Sequence, residues 1–261
     1  MRIATFNIWN NQTLWFERLD AICEEVKNIN PEILAIQEVR TYIDGKKAIS
    51  VAQHIANKTG FPFCIFKEYP DCPDEGLAFL SKFPIYTEDA IWHKNTKESN
   101  YCAIRITFKY GDYEFGITNV HLNWRAPIIR EEQIRSVHNW IFKENKAKPY
   151  EILCGDFNDD PHSSIHQYLT NNLWLDVVQF KEEQNYIKAQ PTLDYINNLN
   201  IKNESNLKIQ ARYDWILIKK NNNLNFPPIN KVEVFGNIPV TKAKVLPSDH
   251  YGVLMEITID T

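Results

Sequence analysis

The first residues of the chain, RIATFNI at 2–8, have the length and composition of a strand. Trp15, Leu19, Ile22, Val26 and Ile29 then recur at helical steps of three and four. They predict a helix over 14–29, with Thr13 as its N-cap and Pro31 as its stop. EILAIQEV (32–39) reads as a strand, and a second helix is expected over 47–58, ending near Gly60. Strand patterns follow at 61–66, 76–81, 84–92, 101–109 and 113–121, and YGD (110–112) makes the last two a hairpin. A third helix over 127–144 opens at Pro127 and buries Ile134, Val137 and Ile141. A strand at 150–154 precedes a short helix near 162–170, which Asp159, Asp160 and Pro161 are expected to start. The last third returns to strands at 174–178, 212–218, 231–236 and 251–259. Residues 181–209 read as a long loop, and KKNNNLN (219–225) as a solvated connection. Without a repeat or a composition break, residues 1–261 read as one domain of mixed sheets covered by helices.

Composition narrows the class. At 44% apolar and 24% charged residues the chain is globular, and no apolar run is long enough to cross a bilayer. The N-terminus lacks the regions of a signal peptide, so the expected location is cytoplasmic, and a monomer is expected. Cys23, Cys64, Cys72, Cys102 and Cys154 are scattered, with no CxxC pair, which argues against a disulfide framework or a zinc knuckle. Cys23, Cys102 and Cys154 are expected to be small buried residues. The net charge of −4 weighs against clamping long nucleic acid by charge alone.

The chemistry lies where strands end. EILCGDFNDD (151–160) runs from an apolar strand into Asp156 and Asn158. Asn7, Glu38, Glu75, His121 with Asn123, Asp214, and Asp249 with His250 also start, end or interrupt strands. Taken singly, each is an ordinary turn or strand-end residue. Jointly they describe a cleft of oxygen ligands and imidazoles with almost no thiol, which suits Mg²⁺ or Mn²⁺ and phosphate hydrolysis. His54, His93, His138, His162 and His166 fall outside these segments and read as surface residues.

In order and spacing, TFNIW, IQEV, EGLAFLSKFPI, TNVHLN, GDFN, RYDWIL and SDHYGV resemble the endonuclease/exonuclease/phosphatase superfamily, from residue 5 to residue 253. That superfamily includes DNase I-like nucleases, abasic-site endonucleases, inositol polyphosphate phosphatases and neutral sphingomyelinases. The resemblance implies an α+β fold, a four-layer sandwich of two packed, mixed, mostly antiparallel sheets flanked by helices. It implies Mg²⁺ or Mn²⁺ held by Glu38 with Asn7 and Asp249, and water oriented or deprotonated by Asp156. Asn158 would hold the phosphate, with Asn7 and Asn123 as further substrate contacts; Arg125, read from its place directly after HLN and not from the resemblance, is expected to pair with a second phosphate. His250 would contact the scissile phosphate or act as base, its tautomer fixed by Asp214. His121 would help protonate the leaving group, with Glu75 as its carboxylate partner. The substrate implied is a phosphoester, nucleic acid or nucleotide included, and the two-histidine pattern favours a phosphodiesterase. A DNase-like nuclease, a polyphosphate phosphomonoesterase and a catalytically silent binding module are the alternatives.

Trp9, Trp92 and Trp124 are candidates for stacking a base or sugar, and Trp124 with Arg125, directly after HLN, is the preferred pair. Phe157 is expected to pack inward between Asp156 and Asn158.

Overall fold

The computed structural model describes residues 1–44, 47–70, 72–92, 103–143, 147–184, 186–202, 208–221 and 223–259, with backbone alone at 42–44, 47–49 and 73. In chain order the elements are β1 (Arg2–Asn7), α1 (Trp15–Ile29), β2 (Ile33–Asp44), β3 (Lys47–Ser50), α2 (Val51–Thr59), β4 (Phe63–Tyr69) and β5 (Cys72–Ser81). There follow β6 (Ile85–Ile91), β7 (Ala103–Tyr110), β8 (Tyr113–His121), α3 (Pro127–Phe142), β9 (Tyr150–Asp156), α4 (Ser164–Asn171), β10 (Leu175–Asp176) and α5 (Val177–Glu183). The chain ends in β11 (Leu193–Asp194), β12 (Gln210–Ala211), β13 (Asp214–Lys220), β14 (Ile229–Phe235) and β15 (Gly252–Ile257).

Two sheets result. The first runs β14-β15-β1-β2-β5-β4, with β3 paired to the far end of β2, and the second runs β10-β13-β9-β8-β7-β6. Only β1–β2 and β8–β9 are parallel among the described pairs, so both sheets are mixed and mostly antiparallel. Alternate side chains of each strand face opposite ways, so each sheet feeds two apolar layers. Ile3, Ile33 and Val253 of one sheet and Ile104, Ile117, Ile152 and Ile216 of the other fill the layer between them. On the outer face of the first sheet, Leu34, Ile36 and Leu254 meet Leu19, Ile22 and Val26 of α1 and Ile55 of α2. On the outer face of the second, Leu153 and Leu217 meet Ile134, Val137 and Ile141 of α3 and Ile165 of α4. This is the expected four-layer order.

Several local expectations are corrected. Thr13 does not cap α1, because Leu14 takes the cap position in the left-handed region without a side-chain bond. Residues 47–50 form β3 rather than helix, and α2 starts only after Ser50, whose hydroxyl accepts from the Gln53 amide. The strand expected at 174–178 shrinks to two residues, because Asp176 accepts from the Val178 and Gln179 amides and starts α5. Asp160 holds a turn by accepting from the His162 amide, and α4 begins later, at Ser164. His166 is buried, not surface, with Nε2 2.9 Å from Asp176. His138 is half-buried, and burial presses its pKa down to about 4, with Lys219 adding to the effect. Cys23 and Cys154 are buried as expected; Cys102 and His93 lie outside the described residues.

Glu25, buried in α1, gives a stability prediction. Burial first, then Glu233 and Glu24, raise its pKa from 4.5 to about 7. A raised folded-state pKa contributes stability below the unfolded value and loses it as pH rises through the folded one. Glu25→Gln is therefore expected to raise Tm at pH 8 by about 2–4 °C and to leave it unchanged near pH 4.5. Equal gains at both pH values in thermal melts would contradict the burial argument.

Candidate active site

Three neighbouring strands of the second sheet end on one row. In the ladder His121 of β8 lies opposite Asp156 of β9, and Asp156 lies opposite Asp214 of β13. The first sheet contributes a matching row: Asn7 ends β1 beside Gln37 of β2, and Glu75 of β5 pairs with Arg40 of β2. Asn7 joins the two rows, its Nδ2 donating to Glu38 Oε1 at 3.0 Å and to Asp156 Oδ2 at 2.9 Å. Residues separated by up to 149 positions therefore share one hydrogen-bonded centre.

Local backbone geometry aims these side chains. The β2–β5 register shifts between Ile36 and Val39, and Glu38 within that bulge has φ 57°. Bulges re-aim side chains, and a non-glycine residue in the left-handed region is held there only by its surroundings. Here Asn10 holds Glu38 through its backbone N–H, 2.8 Å from Oε2. Asn158, also left-handed at φ 51°, is fixed by its own N–H to Asp156 Oδ1 and by its Nδ2 to the Leu122 carbonyl. Gly155 has φ 136°, and a Cβ there would sit 2.0 Å from the Val120 carbonyl, so the glycine of GDFN is required by the close approach of β8. Phe157 turns the other way, fully buried and stacked on Trp215 at 4.2 Å between ring centroids.

Each imidazole is held from behind. His250 Nδ1 is 2.8 Å from Asp214 Oδ2, and His121 Nδ1 is 2.9 Å from the Tyr69 hydroxyl. Their Nε2 atoms lie 3.8 and 3.7 Å from the same oxygen, Asp156 Oδ2. Burial opposes charge on His250, but Asp214, Asp156 and Asp249 outweigh it and raise its pKa well above 6.5. Glu75 accepts from Asn10 Nδ2 at 2.9 Å, and against the burial that raises its pKa it feels the downward pull of the His121 charge, while Tyr69 occupies His121 Nδ1.

Negative charge accumulates around Glu38. Burial raises the Glu75 carboxyl, and the Glu38 charge raises it further. Burial also lifts Asp249 to about 7; His250 pulls it down while Glu38 pushes it up. Asn7 presents its nitrogen to the carboxylates, and its Oδ1 accepts from the Trp9 amide. Asp156, Asp214 and His250 offer atoms within 4.8 Å of one another, a spacing that also fits a metal. Asn123 is almost fully buried, its Oδ1 accepting from the Arg125 and Ala126 amides, whereas Arg125 is exposed.

Other supporting residues have no local sequence signal. Arg18, fully buried, donates to the carbonyls of Ile8, Trp9, Asn11 and Pro247, tying the loop after β1 to the segment before Asp249. Thr192 Oγ1 accepts from the Tyr213 and Asp214 amides, and Asn198 Nδ2 donates to the Ser248 and Asp249 carbonyls. Leu193 bridges to His250. The stretch expected as a loop over 181–209 thus clasps the segment that carries Asp249 and His250.

The chain is similar in sequence and in fold to several known proteins. Nocturnin of Rattus norvegicus is 30% identical over 173 residues, which cover 60% of this chain and 40% of that protein. The chain thus spans about two-fifths of the length of that relative. TDP2 of D. rerio, solved with a single-strand DNA product, superposes with a TM-score of 0.76 at 17% identity, covering 99% of both chains. Beta toxin of Staphylococcus aureus superposes at 0.74 with 17% identity, covering 99% of this chain and 100% of that one. The sequence model of the Endonuclease/Exonuclease/phosphatase family matches residues 4–250. A match of that extent, on a two-sheet sandwich, means that the chain belongs to the Endonuclease/Exonuclease/phosphatase family.

Proposed function

We propose that this protein is a divalent-cation-dependent phosphodiester hydrolase. The observation that carries the reading is the pair of imidazole Nε2 atoms at 3.7 and 3.8 Å from one Asp156 oxygen. Hydrolysis of a diester needs one group to take a proton from water and another to give one to the departing oxygen. Asp156, oriented by Asn7 and the Asn158 amide, takes the proton. His121 in its doubly protonated form gives its Nδ1–H to Tyr69 and delivers its Nε2–H to the leaving oxygen. Asp156 then returns its proton to His121, which restores both groups. His250, kept charged by Asp214, presents its Nε2–H to the phosphoryl group, and Asn158 and Arg125 add contacts to it.

The donor set fits Mg²⁺ or Mn²⁺. Both Glu38 oxygens accept from neutral amides, and the Glu38 charge raises two neighbouring carboxyls, an excess that a hard cation with oxygen ligands offsets. Glu38 and Asp249 would hold the ion, joined by Asn7 once its amide turns its oxygen inward. When bound, the cation neutralises charge on the phosphoryl oxygens. Asp214 and His250 are hydrogen-bonded to each other, so we assign them to the phosphoryl contact rather than to the ion. The scattered cysteines fit work in a reducing compartment such as the cytoplasm.

The test compares bis-p-nitrophenyl phosphate with p-nitrophenyl phosphate in Mg²⁺, Mn²⁺ and EDTA. Turnover of the diester in either cation, abolished by EDTA, is expected. Turnover of the monoester alone would replace the diesterase with a phosphomonoesterase, and no turnover in any cation would favour a binding module.

A further inference from the structure

Two residues beyond His121 the chain exposes a large aromatic ring. Trp124 is 59% exposed, although its indole is among the costliest side chains to leave in water. The Arg125 guanidinium lies 4.6 Å from its ring centroid and is the ring's one recorded partner among the described residues. Arg125 has no carboxylate partner among the described residues, in a protein whose net charge is −4. The turn beneath the pair is held by four hydrogen bonds. Asn123 Oδ1 accepts from the amides of Arg125 and Ala126, the Asn123 amide donates to Gln133, and Arg130 donates to the Asn123 carbonyl. Ile128, 64% exposed on the first turn of α3, extends the apolar surface.

A scattered exposed apolar residue needs no explanation. This one sits on a backbone fixed by four hydrogen bonds, with an unneutralised guanidinium stacked on it, beside the site. A planar π-face next to a free cation matches a ligand that carries a planar ring and an anion a few bonds apart. Bases stack on aromatic side chains whatever their identity, and arginine binds phosphate. We infer that Trp124 and Arg125 form a platform for the base and a phosphate of a nucleotide, so that the substrates of this site are nucleotidyl esters. The inference rests on the hydrolase reading and names its substrate class.

Two esters with the same leaving group separate the ideas: the p-nitrophenyl ester of thymidine monophosphate and methyl p-nitrophenyl phosphate, both with Mg²⁺. Trp124→Ala is expected to raise KM for the nucleotidyl ester about 5- to 100-fold with kcat nearly kept, while kcat/KM for the methyl ester stays within about twofold. Trp124→Phe, which keeps a ring, is expected to retain most of the affinity. Equal effects on both esters, or none on either, would overturn the platform. If the wild type turns over neither ester, the hydrolase reading fails on its own. Calorimetric binding of thymidine monophosphate then decides the platform: weaker binding by Trp124→Ala supports it, and unchanged or absent binding by the wild type overturns it.

Discussion

Asp214→Asn is expected to lower kcat by about 10²- to 10³-fold, the range lost when a donor aimed at the developing charge is weakened. Asp214 is fully buried, and its carboxylate lies 2.8 Å from His250 Nδ1. Asparagine keeps the shape and offers an oxygen to the same Nδ1–H, so the ring is not simply released. What disappears is the negative charge that offsets the burial of an imidazolium. Of the charges raising the His250 pKa against its burial, Asp214 is the largest, ahead of Asp156 and Asp249. The sign follows. If the charged imidazole is the working form, activity falls as pH rises through its raised pKa, and the substitution moves that alkaline limb to lower pH. A structural role alone would lower activity equally at every pH. Rate profiles of the two proteins, with circular dichroism melts as a check on folding, separate the cases. An alkaline limb that stays in place would remove the dyad from the mechanism.

The candidate residues were legible because each starts, ends or interrupts an apolar run that is itself easily read. GDFN shows a buried strand ending at Asp156, and RYDWIL shows a carboxylate leading into a strand of buried residues. The repeat of Trp15, Leu19, Ile22, Val26 and Ile29 likewise gave α1 nearly to its ends. Misreadings came where a distant partner decides local structure. Val177 and Val178 are β-branched and favour a strand, yet they open a helix because Asp176 caps it. Asp176 is in turn held by Arg212 and His166, which also keep its carboxyl down to about 2 against the cost of burial. Nothing near position 176 announces either partner.

The site shows the same division. His121 stands out, whereas Tyr69, 52 residues earlier in β4, looks like any strand tyrosine until the two sheets close. Gln37 and Asn119 form a buried bond between the sheets at 2.6 Å, and Asn119 also reaches the Ile36 and Ala78 carbonyls. This polar contact fixes one sheet against the other just below the centre, and such contacts are costly unless satisfied. A sequence lists groups that can react, but the groups that hold them are ordinary residues selected by geometry. The bulge that gives Glu38 its left-handed backbone is a further case, since no glycine marks it.

Glu38→Gln is expected to uncouple the protein from its cation. Glu38 is the charge that both Glu75 and Asp249 register, and it stands at the meeting point of the Asn7 and Asn10 bonds. Removing one charge of a close ionic contact costs about 2–5 kcal/mol, which corresponds to a rise of roughly 30- to 5,000-fold in the cation concentration for half-activation. Glutamine keeps the length and one accepting oxygen, so the loop after β1 retains at least one of its two bonds. A readout free of catalysis comes from linkage: a ligand that binds only the folded state raises Tm as its concentration rises. The wild type is expected to gain Tm on titration with Mg²⁺ or Mn²⁺, and Glu38→Gln to lose most of that gain while melting normally in EDTA. Asp214→Asn supplies the contrast, because its partner is an imidazole and its cation-dependent gain should survive. If Glu38→Gln keeps the wild-type shift while Asp214→Asn loses it, the ion belongs with Asp156, Asp214 and His250, and the division between cation side and phosphoryl side reverses.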